Sequence, residues 1–154
     1  MSITVENATI QMLDKLFEIE KESFKEEAFS KLQLEYLLED SAAVCLVARV
    51  DGEITGFVMG RLELDREKLA GHVITIDVLP SLRRRGVAMQ LMLEAESQFR
   101  QSGAQESRLE VRQGNAAATE LYRKLGYVEI AFLRGYYGLA HGLYLSKALG
   151  ANDP

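Results

Sequence analysis

The sequence predicts a mixed α/β domain, an α+β arrangement of one central sheet with helices on both of its faces. Three observations lead there. Strand-like and helix-like stretches follow one another in the order β-α-α-β-β-β-α-β-α-β-β, with no repeat or linker between them. Two β-rich runs flank Asp51-Gly52, a dipeptide that readily supplies the positive φ of a tight hairpin. The run "HVITIDVL" (72–79) is nearly all apolar or β-branched, as expected of a strand covered on both faces, and belongs at the centre of the sheet.

The elements follow in chain order. "ITVEN" (3–7) reads as a short first strand, and from Ile10 onward Leu13, Leu16, Phe17 and Ile19 recur at helical spacing. Ser30 is positioned to cap a second helix with apolar residues Leu32, Leu34, Leu37 and Leu38. "AVCLVARV" (43–50) and "EITGFVMGRLEL" (53–64) make the hairpin, and the central strand opens at His72. Val87, Leu91, Met92, Ala95 and Phe99 form one apolar face of a helix over 84–101, with Gly103 closing it. "ESRLEVRQ" (106–113) is the next strand. Asn115 caps a helix over 116–125, which Gly126 ends by accepting the left-handed conformation. "YVEIAFLRGYY" (127–137) and "HGLYLSKAL" (141–149) close the chain as two more strands. One domain is expected over 1–149, with 150–154 as a frayed tail.

At 154 residues, 47% hydrophobic and 27% charged with two prolines, the chain has the composition of a folded domain with one core. A net charge of −5 removes the diffuse positive field on which general nucleic-acid binding depends, so nucleic acid is not the expected partner. The one cysteine, Cys45, precludes an intrachain disulfide and fits a reducing compartment. The N-terminal stretch lacks a basic flank and an apolar core, and no apolar run approaches the roughly 20 residues of a membrane span. The expectation is a cytoplasmic protein with no membrane partner, as a monomer or weak homodimer.

The stretch "DVLPSLRRRGVAMQLM" (77–92) gathers positive charge at a bend just where a helix begins. A helix N-terminus presents unpaired N–H groups and a partial positive charge, so a glycine turn leading into one suits an anion, phosphate above all. In the pattern Arg83-x-x-Gly86-x-Ala88 the small residues let backbone approach a ligand. An isolated basic triplet is otherwise a solvated turn and names no ligand by itself. Neither a Walker loop nor a G-x-G-x-x-G fingerprint is present, which disfavours nucleotide hydrolysis and nicotinamide chemistry. His72 and His141 stand far apart in sequence and Cys45 is alone, so no metal is expected.

Taken in order, "HVITIDVLPSLRRRGVA", "LEVRQGNAAATELYRKLGY" and "RGYY" resemble the GNAT family of acetyl-CoA-dependent N-acetyltransferases, and within it the protein N-terminal acetyltransferases of the RimI and Ard1 type. The likeness covers nearly the whole chain. It implies a GNAT fold, a mixed and mostly antiparallel sheet, with acetyl-CoA as co-substrate and no metal. Arg83, Gly86 and Ala88 satisfy the family's pyrophosphate loop, Q/R-x-x-G-x-G/A, so Arg83, Arg84, Arg85, Gly86, Val87 and Ala88 would cradle the coenzyme's pyrophosphate. Backbone of Ile76, Asp77 and Val78 would hold the pantetheine arm and the acetyl carbonyl, and Asn115 would both cap its helix and bind the coenzyme.

Acetyl transfer to nitrogen needs a neutral amine, a path for its proton and relief of charge on the departing thiolate. In "RLEVRQ" the pleat sends Leu109 and Val111 to one face and Glu110 to the other. The resemblance makes Glu110 the general base, His72 its partner and Tyr122 the acid that protonates the thiolate. A strand-end histidine bonded to backbone, and a tyrosine buried beside Leu121 and Leu125, are the structural alternatives for those two. Tyr136 and Tyr137 are implied to hold the acceptor, a protein or peptide N-terminus; Glu26, Glu27 and Phe29 are candidates for the opposite wall. Where RimI-like relatives carry an acidic stretch before the last strand, this chain has the short, uncharged "GLAHG". A lysine or small-molecule amine acetyltransferase is the alternative within the same chemistry, and a non-catalytic coenzyme-A-binding sensor module is the alternative outside it.

Overall fold

The computed structural model describes residues 1–24 and 28–150. Its elements are β1 (Ile3–Asn7), α1 (Leu13–Phe24), α2 (Lys31–Glu39), β2 (Ala43–Val50), β3 (Glu53–Asp65), β4 (Lys68–Val78), α3 (Val87–Gln101), β5 (Glu106–Arg112), α4 (Ala116–Leu125), β6 (Val128–Tyr137) and β7 (Ala140–Ala148), the expected order. The strands form one seven-stranded sheet, β1-β2-β3-β4-β5-β7-β6, antiparallel except for the parallel pair β4 and β5. The α3 crossover makes that parallel step, and β7 folds back between β5 and β6.

Two apolar clusters sandwich the sheet. Leu13, Leu16 and Ile19 of α1 and Leu34 and Leu37 of α2 pack with Val47, Phe57 and Met59 on one face. Val87, Leu91, Met92, Ala95 and Phe99 of α3 pack with Tyr122 and Leu125 of α4, Leu109 and Val111 against the other face. Local chemistry sets the boundaries. Asp51 and Gly52 both have positive φ, 51° and 90°, at the predicted hairpin. Ser30 begins α2 with a full capping box: its Oγ accepts from the Gln33 N–H at 3.1 Å, and Gln33 Oε1 accepts from the Ser30 N–H at 2.8 Å. Ser30→Ala is expected to cost about 1 kcal/mol, read from the urea midpoint, and an unmoved midpoint would mean that the cap contributes nothing.

Two boundaries differ from the sequence reading. β4 begins at Lys68 rather than at His72, because "KLAG" carries no apolar alternation of its own and is held extended by pairing with Leu62 to Asp65. α3 begins at Val87 rather than near Arg84, since Arg84 and Gly86 both adopt positive φ, 64° and 85°, outside the helix.

One irregularity organises everything downstream. Met59 pairs with Thr75 and Gly60 with Val73, so Ile74 is an extra residue in β4. A bulge of this kind sharpens the twist and breaks pairing. It also resets which face each side chain meets. Val73 joins the α3 cluster, Ile74 joins the α1 cluster, and Ile76 and Val78 return to the α3 cluster, so that Asp77 turns toward α1.

Candidate active site

β4 and β5 pair only where Ala70 to His72 meet Glu106 to Arg108. Beyond that point, next to the bulge, β4 stays with β3 as far as Val78 and β5 stays with β7 as far as Arg112, so the two parallel strands part into a fork. Backbone of 73–78 forms one prong and that of 109–112 the other. A buried polar chain beneath β5 fixes the second prong: Lys147 Nζ donates to Glu96 Oε1 at 2.6 Å, the Tyr127 hydroxyl donates to Glu96 Oε2 at 2.8 Å, and Ser107 Oγ lies 2.7 Å from the Tyr127 oxygen.

The arginine bend lies beyond the end of β4. Gly86 occupies the N-cap of α3 with φ 85°, ψ 4° and supplies no side-chain cap, so the first-turn N–H groups of α3 are directed at the bend. Arg84 and Arg85 are exposed there. Arg83 is exposed as well, but its Nε donates to the Val78 carbonyl at 3.2 Å and ties the bend to the strand. Val87 is buried under α3 and Ala88 packs partly against the same cluster. Asn115 caps α4 as expected, its side chain accepting from the Ala118 N–H at 3.2 Å. A fork with free strand backbone, a glycine bend and an uncapped helix N-terminus together suit an extended ligand ending in a phosphate.

His72 and Glu110 meet at the crotch of the fork. His72 Nε2 lies 2.9 Å from Oε1 and 3.2 Å from Oε2 of Glu110, and His72 Nδ1 lies 3.0 Å from Oε2 of Glu63. His72 therefore sits inside β4, bracketed by carboxylates from both neighbouring strands. The Glu110 bond, then Glu63, push its pKa up to about 9 against the opposing effect of burial, so the ring is protonated at neutral pH. Glu63 was not singled out from sequence. The readable signal was its place with Arg61 and Asp65 on one face of β3.

Tyr136 reaches the same carboxylate. Burial, followed by the charge of and hydrogen bond to Glu110, raises its phenol. Its ring stands edge-on to Tyr137, centroids 4.9 Å apart, and the Arg112 guanidinium lies 5.6 Å from the Tyr137 centroid. The Tyr137 phenol is pushed up to about 12 by burial, then by Tyr136 and Glu110. Both tyrosines pack against the backbone of Gly142, where a Cβ would lie 3.2 Å from each. Tyr122 is 5% exposed, with its ring edge-on to Tyr127 at 5.8 Å. Burial, then Tyr137 and Asp77, hold its phenol well above the ordinary range, so it keeps its proton. Of the expected acceptor wall, Phe29 packs partly buried against the α1 cluster, while Glu26 and Glu27 lie outside the described residues.

Asp77 has a role its backbone assignment did not anticipate. It is 2% exposed, hydrogen-bonded to Glu20, itself 1% exposed, and its pKa is raised from 3.8 to about 10, chiefly by burial and then by Glu20. Thr75 Oγ1 donates to Glu20 Oε1 at 2.9 Å, and Glu20 Oε2 accepts from the Phe29 N–H at 3.1 Å. The sequence held a signal for Glu20, which falls on the stripe of Leu13 and Leu16 where an apolar residue belongs. Burial and the neighbouring Glu20 carboxyl together favour the protonated form of Asp77. Folding thus raises the proton affinity of Asp77. Its contribution to stability is complete below pH 3.8 and is lost as pH rises toward 10. Asp77→Asn supplies an N–H to Glu20 with no proton to lose and is expected to gain on the order of 1 kcal/mol at pH 8 over the wild type, with no gain at low pH. Urea midpoints that track the wild type at both pH values would mean that Asp77 does not hold its proton in the folded state.

A model of the Acetyltransferase (GNAT) family matches residues 10–127. The chain belongs to the GNAT acetyltransferase family. This GNAT chain is 34% identical over 153 residues to the N-alpha-acetyltransferase of Sulfurisphaera tokodaii, covering 94% of itself and 91% of that relative. Ard1 from Thermoplasma volcanium superposes with a TM-score of 0.84 at 25% identity, over 97% of this chain and 99% of that one. The ribosomal-protein-S18-alanine N-acetyltransferase from Escherichia coli shares the fold, with a TM-score of 0.86 at 20% identity over 99% and 97% of the two chains. The GNAT resemblance and the mixed α/β fold class read from the sequence are both borne out. No helix among the described residues is long and apolar enough to cross a membrane.

Proposed function

We propose that this GNAT enzyme is an N-alpha-acetyltransferase, moving an acetyl group from acetyl-CoA to the α-amino group of a protein or peptide N-terminus by direct attack in a ternary complex. The observation that supports it is the meeting of the Glu110 carboxylate with His72 and Tyr136 at the crotch of the β4–β5 fork, with the buried, protonated phenol of Tyr122 within electrostatic reach of the adjoining Tyr137. The close relation to named N-alpha-acetyltransferases points the same way.

Each requirement of the reaction has a residue. The α3 N-terminus, Gly86 and Ala88, with Arg84 and Arg85 at the rim, would hold the pyrophosphate, and the open backbone of 76–78 would hold the pantetheine arm. Asn115 borders the other prong, its N–H donating to the Arg112 carbonyl at 3.1 Å. Glu110 accepts the proton that the amine sheds on attack, directly or through a water. The Tyr122 hydroxyl gives its proton to the departing sulfur; a buried phenol is a poor acid toward water but an adequate one toward a thiolate in the same apolar site. Tyr136 and Tyr137 form the acceptor side.

An α-amine has a pKa near 8 and a lysine amine near 10.4, so near neutrality the neutral, reactive fraction of the α-amine is about two orders of magnitude larger. The α-amine therefore makes the smaller demand on Glu110. The test is to incubate the enzyme with acetyl-CoA, peptides of varied first residue and an N-terminally blocked peptide containing lysine, then locate the acetyl groups by mass spectrometry. Acetylation at α-amines is expected. Modification confined to ε-amines would replace this reading with a lysine acetyltransferase, and intact coenzyme binding with no transfer would favour a sensor module.

A further inference from the structure

We propose that Glu63 is a positioning residue of this reaction: by engaging Nδ1 of His72 it fixes the ring as a doubly donating arm that grips both oxygens of Glu110, so that His72 serves as a brace and not as a proton relay. The inference rests on the reading of Glu110 as the base. It is carried by three distances: Nδ1 to Glu63 Oε2 3.0 Å, and Nε2 to Glu110 Oε1 2.9 Å and Oε2 3.2 Å.

An ionised carboxylate only accepts hydrogen bonds, so a ring with a carboxylate at each nitrogen satisfies both contacts only when both nitrogens carry hydrogen. A neutral imidazole would turn a lone pair toward one of the two carboxylates. The imidazolium is thus the form that this geometry selects, and the raised affinity of His72 for its proton agrees. A ring already holding both protons cannot accept one from Glu110. What it does is orient the carboxylate through a forked contact, leaving the remaining lone pairs of Glu110 for the amine or its water.

The other charged groups on this face are engaged elsewhere. Arg61, opposite His72 on β3, donates to Asp40 Oδ2 at 2.7 Å. Arg108, opposite His72 on β5, donates to Glu106 at 2.7 Å and to Asp65 at 3.2 Å. Tyr136 bonds Glu110 from the β6 side, and Tyr144 of β7 senses the charges of Arg108, Glu106 and Glu110. Among the described residues, the hydrogen-bond partners of the ring are Glu63 and Glu110. The Glu63 side chain is 36% exposed, so an isosteric replacement leaves the core untouched.

The experiment compares wild type, Glu63→Gln and Glu63→Asp. Imidazole nitrogen shifts of His72 are followed by NMR from pH 6 to 10, alongside kcat and KM for both substrates and acetyl-CoA affinity. In Glu63→Gln, His72 is expected to titrate about one unit lower, and the alkaline limb of kcat is expected to move down with it, giving about a tenfold loss on that limb. KM for acetyl-CoA stays unchanged, and Glu63→Asp restores most of both shifts. The proposal is overturned if the His72 titration does not move in Glu63→Gln, or if it moves while the kcat profile stays put. Failure of the underlying reading is a separate result: Glu110→Gln would then keep full turnover whatever His72 does. Should Glu63→Gln melt early, Glu63→Ala is followed on the same two curves with the same expected shifts, and a His72 titration unmoved there overturns the proposal.

Discussion

Glu110→Gln is expected to lower kcat by about 10²- to 10⁴-fold, the range a general base contributes, and to leave the affinity for acetyl-CoA within about twofold of wild type. Glutamine keeps the size of the side chain and can still accept from His72 Nε2, so the crotch of the fork keeps its shape. What is lost is a site that takes a proton. The proposed coenzyme-holding groups are the backbone of 76–78 and the α3 N-terminus, which belong to β4 and the bend and not to β5. Single-turnover acetylation of an N-terminal peptide, together with calorimetric titration of acetyl-CoA, separates the two quantities. Wild-type turnover in the variant removes Glu110 from the chemistry; a matching loss of coenzyme affinity makes it a binding residue instead.

The largest stability loss is expected at Gly71→Ala. The Phe99 ring of α3 is fully buried and lies flat on the backbone of β3 and β4. A Cβ on Gly71 would stand 2.2 Å from Cγ and Cδ2 of that ring, and one on Gly60 would stand 2.6 Å from its Cζ. Neither glycine is there for a left-handed turn; both are there because the ring occupies the space a side chain needs. Alanine at 71 forces α3 away from the sheet or Phe99 off its rotamer, a loss of about 3 kcal/mol by the usual cost of overpacking a core. Phe99→Ala alone opens a void, yet in the Gly71→Ala background it removes the Cγ and Cδ atoms that the new Cβ would meet, so the double variant is expected to be more stable than the sum of the two single losses. Urea denaturation of the four proteins tests this, and strict additivity would mean that ring and glycine do not meet.

Much of the scaffold was legible because its signals are local. The capping box of Ser30, the Asp51-Gly52 turn, Asn115 ahead of α4 and the left-handed Gly126 each depend on three or four consecutive residues, and all appear where the spacing put them. Glu110 was legible for a similar reason: between Leu109 and Val111, both buried, the pleat leaves it the other face. The boundary of β4 was not, since "KLAG" takes its extended form from a partner strand rather than from its own pattern. Glu63 and Glu20 were missed because nothing beside them in sequence announces a partner. His72 and Glu110 are 38 residues apart, and Thr75 and Glu20 are 55 apart.

The amino-acid sequence by itself determined the order and type of the elements, the arginine bend with its glycine, and the residue types able to move a proton, because propensity, capping and pleat act over a few neighbouring residues. Only the tertiary structure decided that β7 lies between β5 and β6, that one extra residue at Ile74 turns Asp77 toward α1, and that three strands bring Glu63, His72 and Glu110 into one line. The physical reason is that register is a cooperative property of the whole sheet: shifting one residue reverses every side chain after it, and no local pattern encodes which strand will be alongside.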